Sequence, residues 1–546
     1  MKQKSSRHYN VSTKILIFAL SLFLFTYGVQ AQEVIGFDSR FFLFMREMWL
    51  RGLSFFPTTY FSPYPDYPAA AIWLMYFSGF IFGGINKLSA IFPSAVAAAL
   101  TVVMTYQIGA LQNKLYGFCA ILFLFLTYTF LKSARTISLD MYPTLIAASC
   151  FYLIYSADLL QKPSRIKWIV PLLVIAFCFR GPIGLVIPTG VVCTYYLLHG
   201  QWKKFFQIGL TAFILLLICT AGLLALAYHV GGNTFMQDVL RMQVAGRIDN
   251  YYRPFYFYFT DSLINYAIAF PIAVIMMAMI MISKKKLLEW KFLLSCMGWI
   301  LVILIGMSIP GDKKVRYILP IAPALSLLAA YPFFAADNQK FLVIFSRILQ
   351  KFFLFFPAIF LLLTVAAYYY LPQKLPNFSL NYAALSAIFL SLQAINLWDF
   401  YAKRTHFLRQ IFCAAVSFYV ATIAIFEPIE LHIERGKKFV MYVENLRNQA
   451  HTQLVFYKEN PDGLPIKYRM NMPILVRPVF IDNESSLKNY TGRAFIVAGQ
   501  ASFDALSPET RARFHVIMSG RLGHVPVVVF TQNITDKARW YQLWQK

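Results

Sequence analysis

The sequence from Phe292 to Ala335 reads FLLSCMGWILVILIGMSIPGDKKVRYILPIAPALSLLAAYPFFA. Two apolar stretches within it, 292–309 and 317–335, are each long enough to cross a bilayer as a helix. The segment between them, Gly311-Asp312-Lys313-Lys314-Val315-Arg316-Tyr317, places three cations at one end of the helix pair. Apolar stretches joined by short polar loops recur along the chain, and this pattern predicts an α-helical polytopic membrane protein.

The composition supports a membrane protein and excludes a soluble globular one. The chain has 546 residues, of which 59% are hydrophobic and 14% charged, and its mean hydropathy is +0.57. The formal net charge of +26 favours anionic lipid headgroups as neighbours or substrates. Nucleic acid is not predicted as a partner, because no basic soluble domain stands apart from the apolar part. All seven cysteines lie in apolar stretches, so no disulfide framework or thiolate metal cluster is predicted.

Thirteen stretches are predicted to span the membrane. Residues 69–86 are apolar as well, but we expect them to lie at the membrane interface. The sequence Arg180-Gly181-Pro182 predicts a break between two spans, because glycine and proline interrupt helices. The predicted spans are 14–31, 89–110, 116–132, 139–157, 168–179, 182–198, 205–229, 261–282, 292–309, 317–335, 351–371, 381–400 and 410–427.

Charge bias gives the predicted orientation. Lysine and arginine are more frequent in one set of alternate loops, and such loops stay in the cytoplasm. This places the N-terminus inside, and the loops 32–88, 132–139, 230–260 and 310–316 outside. Val29-Gln30-Ala31 resembles a signal-peptidase site, although an uncleaved first span fits a polytopic protein better. The cations at 313–316 therefore lie on the side where basic residues are less common, and we infer that they bind an anion such as a lipid phosphate.

The last part of the chain differs in character. Residues 428–546 are mixed and polar, and short β-rich runs (453–457, 478–481, 494–497 and 525–530) alternate with helical patterns (437–449 and 508–518). We predict two domains, a transmembrane domain at 1–427 and a small extracytoplasmic α/β domain at 428–546. We find no glycine-rich phosphate loop or nucleotide-binding fingerprint, so a lipid-linked substrate is favoured over a soluble nucleotide.

Two aspartates are the candidate catalytic residues. Asp38 opens the first outer loop, in Gly36-Phe37-Asp38-Ser39-Arg40, and is followed by an amphipathic stretch; a solvated loop carboxylate is the plainer reading. Asp140 lies where an outer loop meets a span, and ionisable groups at that depth are commonly functional. An N-cap or a salt bridge to Arg135 is the structural alternative for Asp140.

Several basic and aromatic residues are candidates for binding a phosphate or a sugar. Arg40, Arg180, Arg247, Arg253, Lys313, Lys314 and Arg316 supply positive charge, and Tyr317 supplies a neutral donor. Arg180 could instead snorkel to the interface, and the aromatic loop around Arg247 and Arg253 could be a membrane anchor. Asp66 and Tyr67, in the proline-rich sequence Pro63-Tyr64-Pro65-Asp66-Tyr67-Pro68, are candidates for an acceptor or sugar pocket.

Taken in order, these segments resemble the GT-C glycosyltransferases that use polyprenyl-phosphate sugars. This superfamily includes the protein O-mannosyltransferases and the bacterial lipid A aminoarabinose transferases. The resemblance covers roughly residues 14–430. It is carried by Asp38 with Arg46-Glu47-Met48, the proline-aromatic loop, Phe92-Pro93-Ser94-Ala95, Ala134-Arg135 before Asp140, the Arg180-Gly181-Pro182 break, Arg253-Pro254-Phe255-Tyr256 and Arg316-Tyr317-Ile318-Leu319-Pro320.

The resemblance implies the GT-C fold and an inverting transferase in the bacterial inner membrane, with a periplasmic active site. The implied donor is an undecaprenyl-phosphate sugar, and the implied acceptor is lipid A or another glycan or lipid. A divalent metal is possible but no ligand pattern indicates it. The chain departs from the family at Phe37-Asp38-Ser39, which has one acid where a pair is usual, and at Asp66-Tyr67-Pro68, which lacks a lysine. A protein O-mannosyltransferase-like enzyme and a lipid or sugar transporter are the alternatives.

Overall fold

The structure is a computed structural model that describes residues 11–36, 38–66, 68–245, 253–282, 287–334, 340–402 and 407–532. The chain divides into two compact units. The first consists of Met1–Gln30, Ser54–Pro57 and Tyr64–Pro428, and the second of Ala31–Leu53, Thr58–Pro63 and Ile429–Lys546. The second unit thus includes two short segments that follow the first helix, in addition to the C-terminal part of the chain.

The described α-helices lie between Val11 and Arg511. Short 3₁₀ or π segments lie at Val29–Ala31, Pro163–Trp168, Arg241–Ala245, Val315–Ile321, Tyr331–Phe333 and Thr422–Phe426. The α-helices are Val11–Thr26, Asp38–Arg51, Ala70–Ile81, Lys87–Ala110, Lys114–Phe125, Tyr128–Ala134, Met141–Leu160, Ile169–Arg180, Pro182–Leu198, Trp202–Leu240, Phe257–Asn265, Ala269–Ile282, Trp290–Ser308, Ala322–Ala330, Lys340–Leu354, Phe356–Lys374, Tyr382–Tyr401, Phe407–Ala421, Glu427–Glu434, Lys437–Gln449, Leu464–Arg469, Glu484–Lys488, Gln500–Asp504 and Pro508–Arg511.

The described secondary structure of the first unit is helical, and each of the thirteen predicted spans contains a helix. Among the described residues, nine helical stretches are long and apolar enough to cross a membrane, or ten if the pair Lys114–Phe125 and Tyr128–Ala134, bent by 80°, forms one span. The count is lower than thirteen because helices such as Pro182–Leu198 and Ala269–Ile282 are apolar but shorter. The chain is a multi-pass membrane protein.

The apolar segment at 69–86 forms the helix Ala70–Ile81, which has 12 residues. At 1.5 Å per residue it extends about 18 Å, which is shorter than the roughly 30 Å of a hydrocarbon core. The length supports the expectation that this segment does not span the membrane by itself.

The predicted helix break at Gly181 is present. The helix Ile169–Arg180 ends there, and the next one begins at Pro182, where proline costs no helical hydrogen bond. Gly181 has φ +63° and ψ −149°, a conformation that essentially only glycine adopts. A Cβ atom at this position would lie 2.7 Å from Oε1 of Gln243. The break therefore requires glycine both for its backbone and for its space.

The second unit contains a five-stranded mixed sheet and a separate two-stranded hairpin. The strands are Thr58–Thr59 (β1), Ser62–Pro63 (β2), Gln453–Tyr457 (β3), Val479–Ile481 (β4), Ala494–Gly499 (β5), Phe514–Leu522 (β6) and Val525–Gln532 (β7). The order in the mixed sheet is β4-β3-β5-β7-β6. The pairings of β3 with β4 and with β5 are parallel, whereas β7 pairs antiparallel with β5 and β6. Apolar clusters cover the two faces of the sheet. A separate hairpin joins β1 and β2.

The four predicted β-rich runs are all strands, but the predicted helix at 508–518 is wrong in its second half. Only Pro508–Arg511 is helical, and β6 begins at Phe514. Pairing with β7 along its length determines this conformation, and the register shifts between Val516 and Met518. Such pairing overrides local helix propensity.

A buried ion pair attaches the helix Asp38–Arg51 to the rest of the second unit. Glu47 and Arg469 have fully buried side chains, and their Oε1 and Nη1 atoms are 2.9 Å apart. The second carboxylate oxygen of Glu47 accepts a hydrogen bond of 3.0 Å from the backbone N–H of Phe61. The Arg469 guanidinium lies 4.4 Å from the centroid of the Tyr60 ring. The amphipathic stretch after Asp38 is therefore a packed element of this unit.

We predict that Glu47→Gln destabilises the second unit strongly. The change leaves the Arg469 charge buried without its partner, which costs about 3–5 kcal/mol. The double variant Glu47→Met/Arg469→Met, which removes both charges, is expected to recover most of the loss. Limited proteolysis of the second unit during thermal unfolding measures the effect. Equal protease resistance in the wild type and Glu47→Gln would contradict the prediction.

We also predict that Gly181→Ala lowers the thermal stability of the protein. The backbone conformation costs a non-glycine residue about 1–3 kcal/mol, and the added methyl group meets Gln243. Gly306→Ala is the matched control, because its Cβ would meet nothing within 4 Å. The melting temperatures in detergent or nanodiscs should fall for Gly181→Ala only, and similar values for both variants would refute this account of the break.

Candidate active site

Asp140 lies in the first unit at the start of the helix Met141–Leu160, and two arginines bind it. Its Oδ1 atom accepts a hydrogen bond of 2.9 Å from Nε of Arg180, and its Oδ2 atom lies 3.1 Å from Nε of Arg316. Its side chain is 8% exposed and makes no N-cap hydrogen bond. Asp140, Arg180 and Arg316, which were selected separately in the sequence, are therefore in contact, with the two arginines at the buried Asp140 carboxylate.

The alternative partner for Asp140, Arg135, binds elsewhere. Its guanidinium forms two hydrogen bonds with the Glu427 carboxylate, of 2.5 and 2.9 Å. It also donates to the carbonyl oxygens of Leu24 at 2.8 Å and Tyr27 at 3.0 Å. Arg135 therefore links the end of the first helix, Val11–Thr26, to the start of the helix Glu427–Glu434. The suggested salt bridge between Arg135 and Asp140 is wrong.

Three cations lie around the aromatic ring of Tyr317. The guanidinium groups of Arg180 and Arg316 lie 5.5 and 5.4 Å from the ring centroid, and Nζ of Lys314 lies 5.7 Å from it. The Tyr317 hydroxyl donates a hydrogen bond of 3.2 Å to Oδ2 of Asp312. The same oxygen is 3.6 Å from Nζ of Lys314. The two arginines that bind Asp140 therefore lie near the same aromatic ring as Lys314.

Two further cations extend the cluster. The buried Lys313 side chain donates a hydrogen bond of 3.0 Å to the carbonyl oxygen of Arg253. The backbone N–H of Arg253 donates to the Gly311 carbonyl oxygen at 3.3 Å, and its guanidinium lies 4.5 Å from the Phe257 ring centroid. We call the group formed by Asp140, Arg180, Arg253, Asp312, Lys313, Lys314, Arg316 and Tyr317 the cation cluster.

Within the described residues, the cation cluster contains five cations and two carboxylates. Each like-charged neighbour raises the energy of the others, and an added anion relieves this repulsion. Guanidinium and ammonium groups are the side chains that bind phosphate best. The arrangement is therefore suited to hold a phosphate and to stabilise negative charge that develops on it.

The Asp66 loop lies next to the helix break in the same unit. The Gln243 side-chain nitrogen donates a hydrogen bond to the Asp66 carbonyl oxygen. The side-chain oxygen of Gln243 lies 2.7 Å from the position that a Cβ atom on Gly181 would take. Asp66 is buried. The structure therefore brings the Asp66 backbone close to the residue that follows Arg180. Gln243, which makes this connection, was not predicted from the sequence.

Asp38 and Arg40 belong to the second unit. Asp38 is the first residue of the helix Asp38–Arg51 and is buried. Arg40 donates a hydrogen bond of 3.0 Å to the Asp462 carbonyl oxygen, and its guanidinium is 3.6 Å from the Asp462 carboxylate. The two remaining candidates, Tyr67 and Arg247, lie outside the described residues.

Hydroxyl groups beside the cation cluster were missed in the sequence. Tyr258 and Ser262 lie one turn apart on the helix Phe257–Asn265, and both are buried. Tyr266, one turn further, donates a hydrogen bond of 3.0 Å to the Val315 carbonyl oxygen. Burial raises the pKa of Tyr258 well above its ordinary value, so it keeps its proton at neutral pH. The i, i+4 spacing of the three hydroxyls was visible in the sequence.

The chemistry of this site does not point to a metal. Its side chains are mainly guanidinium, ammonium and hydroxyl groups, which bind anions, whereas Mg²⁺ and Ca²⁺ are bound by oxygen ligands, many of them carboxylates. In the part of the chain that the structure describes, no group of three or more histidine, cysteine, aspartate or glutamate residues could hold a metal ion. The possible divalent metal thus has no assigned ligands.

Comparisons with known proteins identify the fold. No family model matches the sequence. An uncharacterized protein of Aquifex aeolicus (strain VF5) is 25% identical over 452 residues, which cover 80% of each protein. The structure is similar to two crystal structures of ArnT from Cupriavidus metallidurans, one bound to undecaprenyl phosphate and one in the apo state. Both have a TM-score of 0.70 and cover 95% of this chain and 98% of ArnT, at 15% and 16% sequence identity. The chain is therefore a multi-pass membrane protein with the GT-C fold of ArnT and a small C-terminal domain built on a mixed sheet.

Proposed function

We propose that this protein is an inverting glycosyltransferase that takes a sugar from an undecaprenyl-phosphate donor and transfers it to an extracytoplasmic acceptor. The single observation that carries the proposal is the cation cluster around Asp140, because it suits the leaving group of this reaction. The fold of ArnT, whose crystal structure contains undecaprenyl phosphate, supports the same donor. We propose the bacterial inner membrane as the location, with the site facing the periplasm.

In the proposed reaction, an acceptor oxygen attacks the anomeric carbon of the donor sugar. The bond between this carbon and the phosphate oxygen breaks, and its electron pair stays on the phosphate, which becomes a dianion. Lipid phosphate is a weak base, so its departure requires positive charge rather than a general acid. Arg180, Lys314 and Arg316 supply this charge, and Lys313 and Arg253 contribute from the edge of the cluster.

We assign Asp140 the role of holding its two arginines in place. Each of its two carboxylate oxygens faces a guanidinium at 2.9–3.1 Å, which fixes the positions of the two cations. Tyr317, whose ring lies beside both guanidinium groups, remains a candidate for a neutral donor. Arg40 and Arg247 remain candidates for the donor phosphate, and Asp66 and Tyr67 for a sugar or acceptor pocket.

We propose lipid A or lipopolysaccharide as the acceptor and 4-amino-4-deoxy-L-arabinose or a similar sugar as the group transferred. A phosphate acceptor on lipid A is already ionised and needs no base. A hydroxyl acceptor needs a base, and one of the two candidate aspartates, Asp38 or Asp140, takes that role in this case. The tyrosine in Asp66-Tyr67-Pro68, where aminoarabinose transferases have a lysine, keeps a protein O-mannosyltransferase-like activity as the second candidate.

Asp140→Asn and Arg316→Gln are expected to abolish a sugar-modified product in cells that express the protein. Loss of one donor that stabilises a developing oxyanion lowers the rate about 10²–10³-fold. Mass spectrometry of lipid A, glycans and glycoproteins measures the product. Arg347→Gln, an exposed cation on the helix Lys340–Leu354, is the matched control and should leave the product unchanged. Identical profiles with wild-type protein, with Asp140→Asn and without the protein would exclude the proposed function.

A further inference from the structure

The helix Phe257–Asn265 carries two buried hydroxyl groups that form no hydrogen bond of normal geometry among the described residues. Tyr258 and Ser262 are 0% and 1% exposed, and neither side-chain oxygen has a hydrogen-bond partner there. A buried polar group left unpaired costs about 1–3 kcal/mol. Two such groups one turn apart point in the same direction from the helix. This pattern indicates that the partner is a molecule other than the chain itself.

The helix packs against the 3₁₀ segment Val315–Ile321, which carries the cations of the cluster. Tyr258 is close enough to Tyr317, Asp140 and Asp312 for electrostatic interaction with all three. Its oxygen lies beside the Lys314 backbone without a hydrogen bond of normal geometry. Tyr258 therefore borders the cation cluster, and Ser262 lies on the same face of the helix, between Tyr258 and Tyr266, which bonds to Val315. Both hydroxyls are uncharged.

A sugar carried on a lipid phosphate is bonded directly to that phosphate. Any group that binds the sugar must therefore adjoin the group that binds the phosphate. Sugar hydroxyls both donate and accept hydrogen bonds, and the hydroxyls of tyrosine and serine do the same. The hydroxyls of Tyr258 and Ser262 are neutral, polar and buried, and they therefore have the chemistry needed to bind the sugar of the donor beside the cation cluster.

On the basis of the proposed function, we propose that Tyr258 and Ser262 form the subsite for the sugar ring of the donor. Their hydroxyls hydrogen-bond to hydroxyls of the sugar, and the cation cluster binds the phosphate. The sugar thereby keeps a fixed orientation in which its anomeric carbon stays beside the cluster. Tyr266 is already bonded to the Val315 carbonyl oxygen, and it fixes the helix against the segment that carries Arg316 and Tyr317.

The test compares the affinities of a sugar-linked and a sugar-free lipid. Full-length protein in nanodiscs is titrated with undecaprenyl-phosphate 4-amino-4-deoxy-L-arabinose, undecaprenyl-phosphate mannose and undecaprenyl phosphate alone. Tyr258→Phe and Ser262→Ala should each weaken binding of the preferred sugar-linked lipid roughly 3- to 10-fold, as expected for one lost hydrogen bond. Affinity for undecaprenyl phosphate alone should stay within about twofold, since neither hydroxyl binds the phosphate.

Tyr196→Phe is the matched control for this test. Tyr196 is also buried, its hydroxyl has no hydrogen-bond partner among the described residues, and it lies near the far end of the helix that begins at Pro182. Its variant should bind all three lipids as the wild type does. Thermal unfolding verifies that the variants are folded.

Two results would overturn the proposed subsite. The first is unchanged binding of the sugar-linked lipids by both variants, even if stability falls, since a buried water would then be the partner. The second is an equal loss for the sugar-linked and the sugar-free lipid, since the hydroxyls would then serve the phosphate or the fold. If wild-type protein binds none of the three lipids, the proposed function fails as well, and this outcome is distinct from the other two.

Discussion

The pairing of Asp140 with Arg180 and Arg316 is the interaction on which the arrangement of the first unit's site depends. A charge without a partner inside an apolar protein is strongly destabilising, so a carboxylate there requires cations that reach it. One cation comes from the end of a helix that breaks at Gly181, and the other from the 3₁₀ segment Val315–Ile321. The carboxylate thus holds two distant parts of the chain in one place.

This pairing also explains why the cation cluster is still suited to bind an anion. Asp140 neutralises only part of the positive charge that it gathers, and Asp312 neutralises a further part through Lys314. The remaining cations are close to each other and would be stabilised by a phosphate. The Glu47–Arg469 pair in the second unit differs in this respect, since one carboxylate and one guanidinium balance each other in a fully buried position. The first arrangement suits a binding site, whereas the second suits a structural contact.

Much of the fold could be predicted from the sequence because membrane helices follow from apolar length alone. The break at Gly181 was readable from glycine followed by proline, and Asp140, Arg180 and Arg316 were predicted to face the same side of the membrane. Which of them are in contact was not predictable, since no local pattern distinguishes Arg135 from Arg180 as the partner of Asp140. The alternative pairing of Asp140 with Arg135 was wrong, and the actual partner of Arg135, Glu427, is distant in the sequence.

Other parts required the tertiary structure. Glu47 was noticed as part of a helix, but its partner Arg469 lies in the C-terminal domain, and buried pairs of this kind leave no local signal. The first part of strand β6, residues 514–518, was predicted as helix, whereas pairing with β7 determines its conformation. The sequence contained the spacing of Tyr258 and Ser262, but a buried hydroxyl without a partner becomes evident only in three dimensions.

The most direct test of the central claim is cryo-electron microscopy of the protein in nanodiscs with undecaprenyl phosphate. The account predicts density for the lipid phosphate within hydrogen-bonding distance of Arg316 and of at least one of Arg180 and Lys314, with the Asp140 pairing retained. Density for the phosphate at another place on the protein, with none beside Arg316, would contradict it.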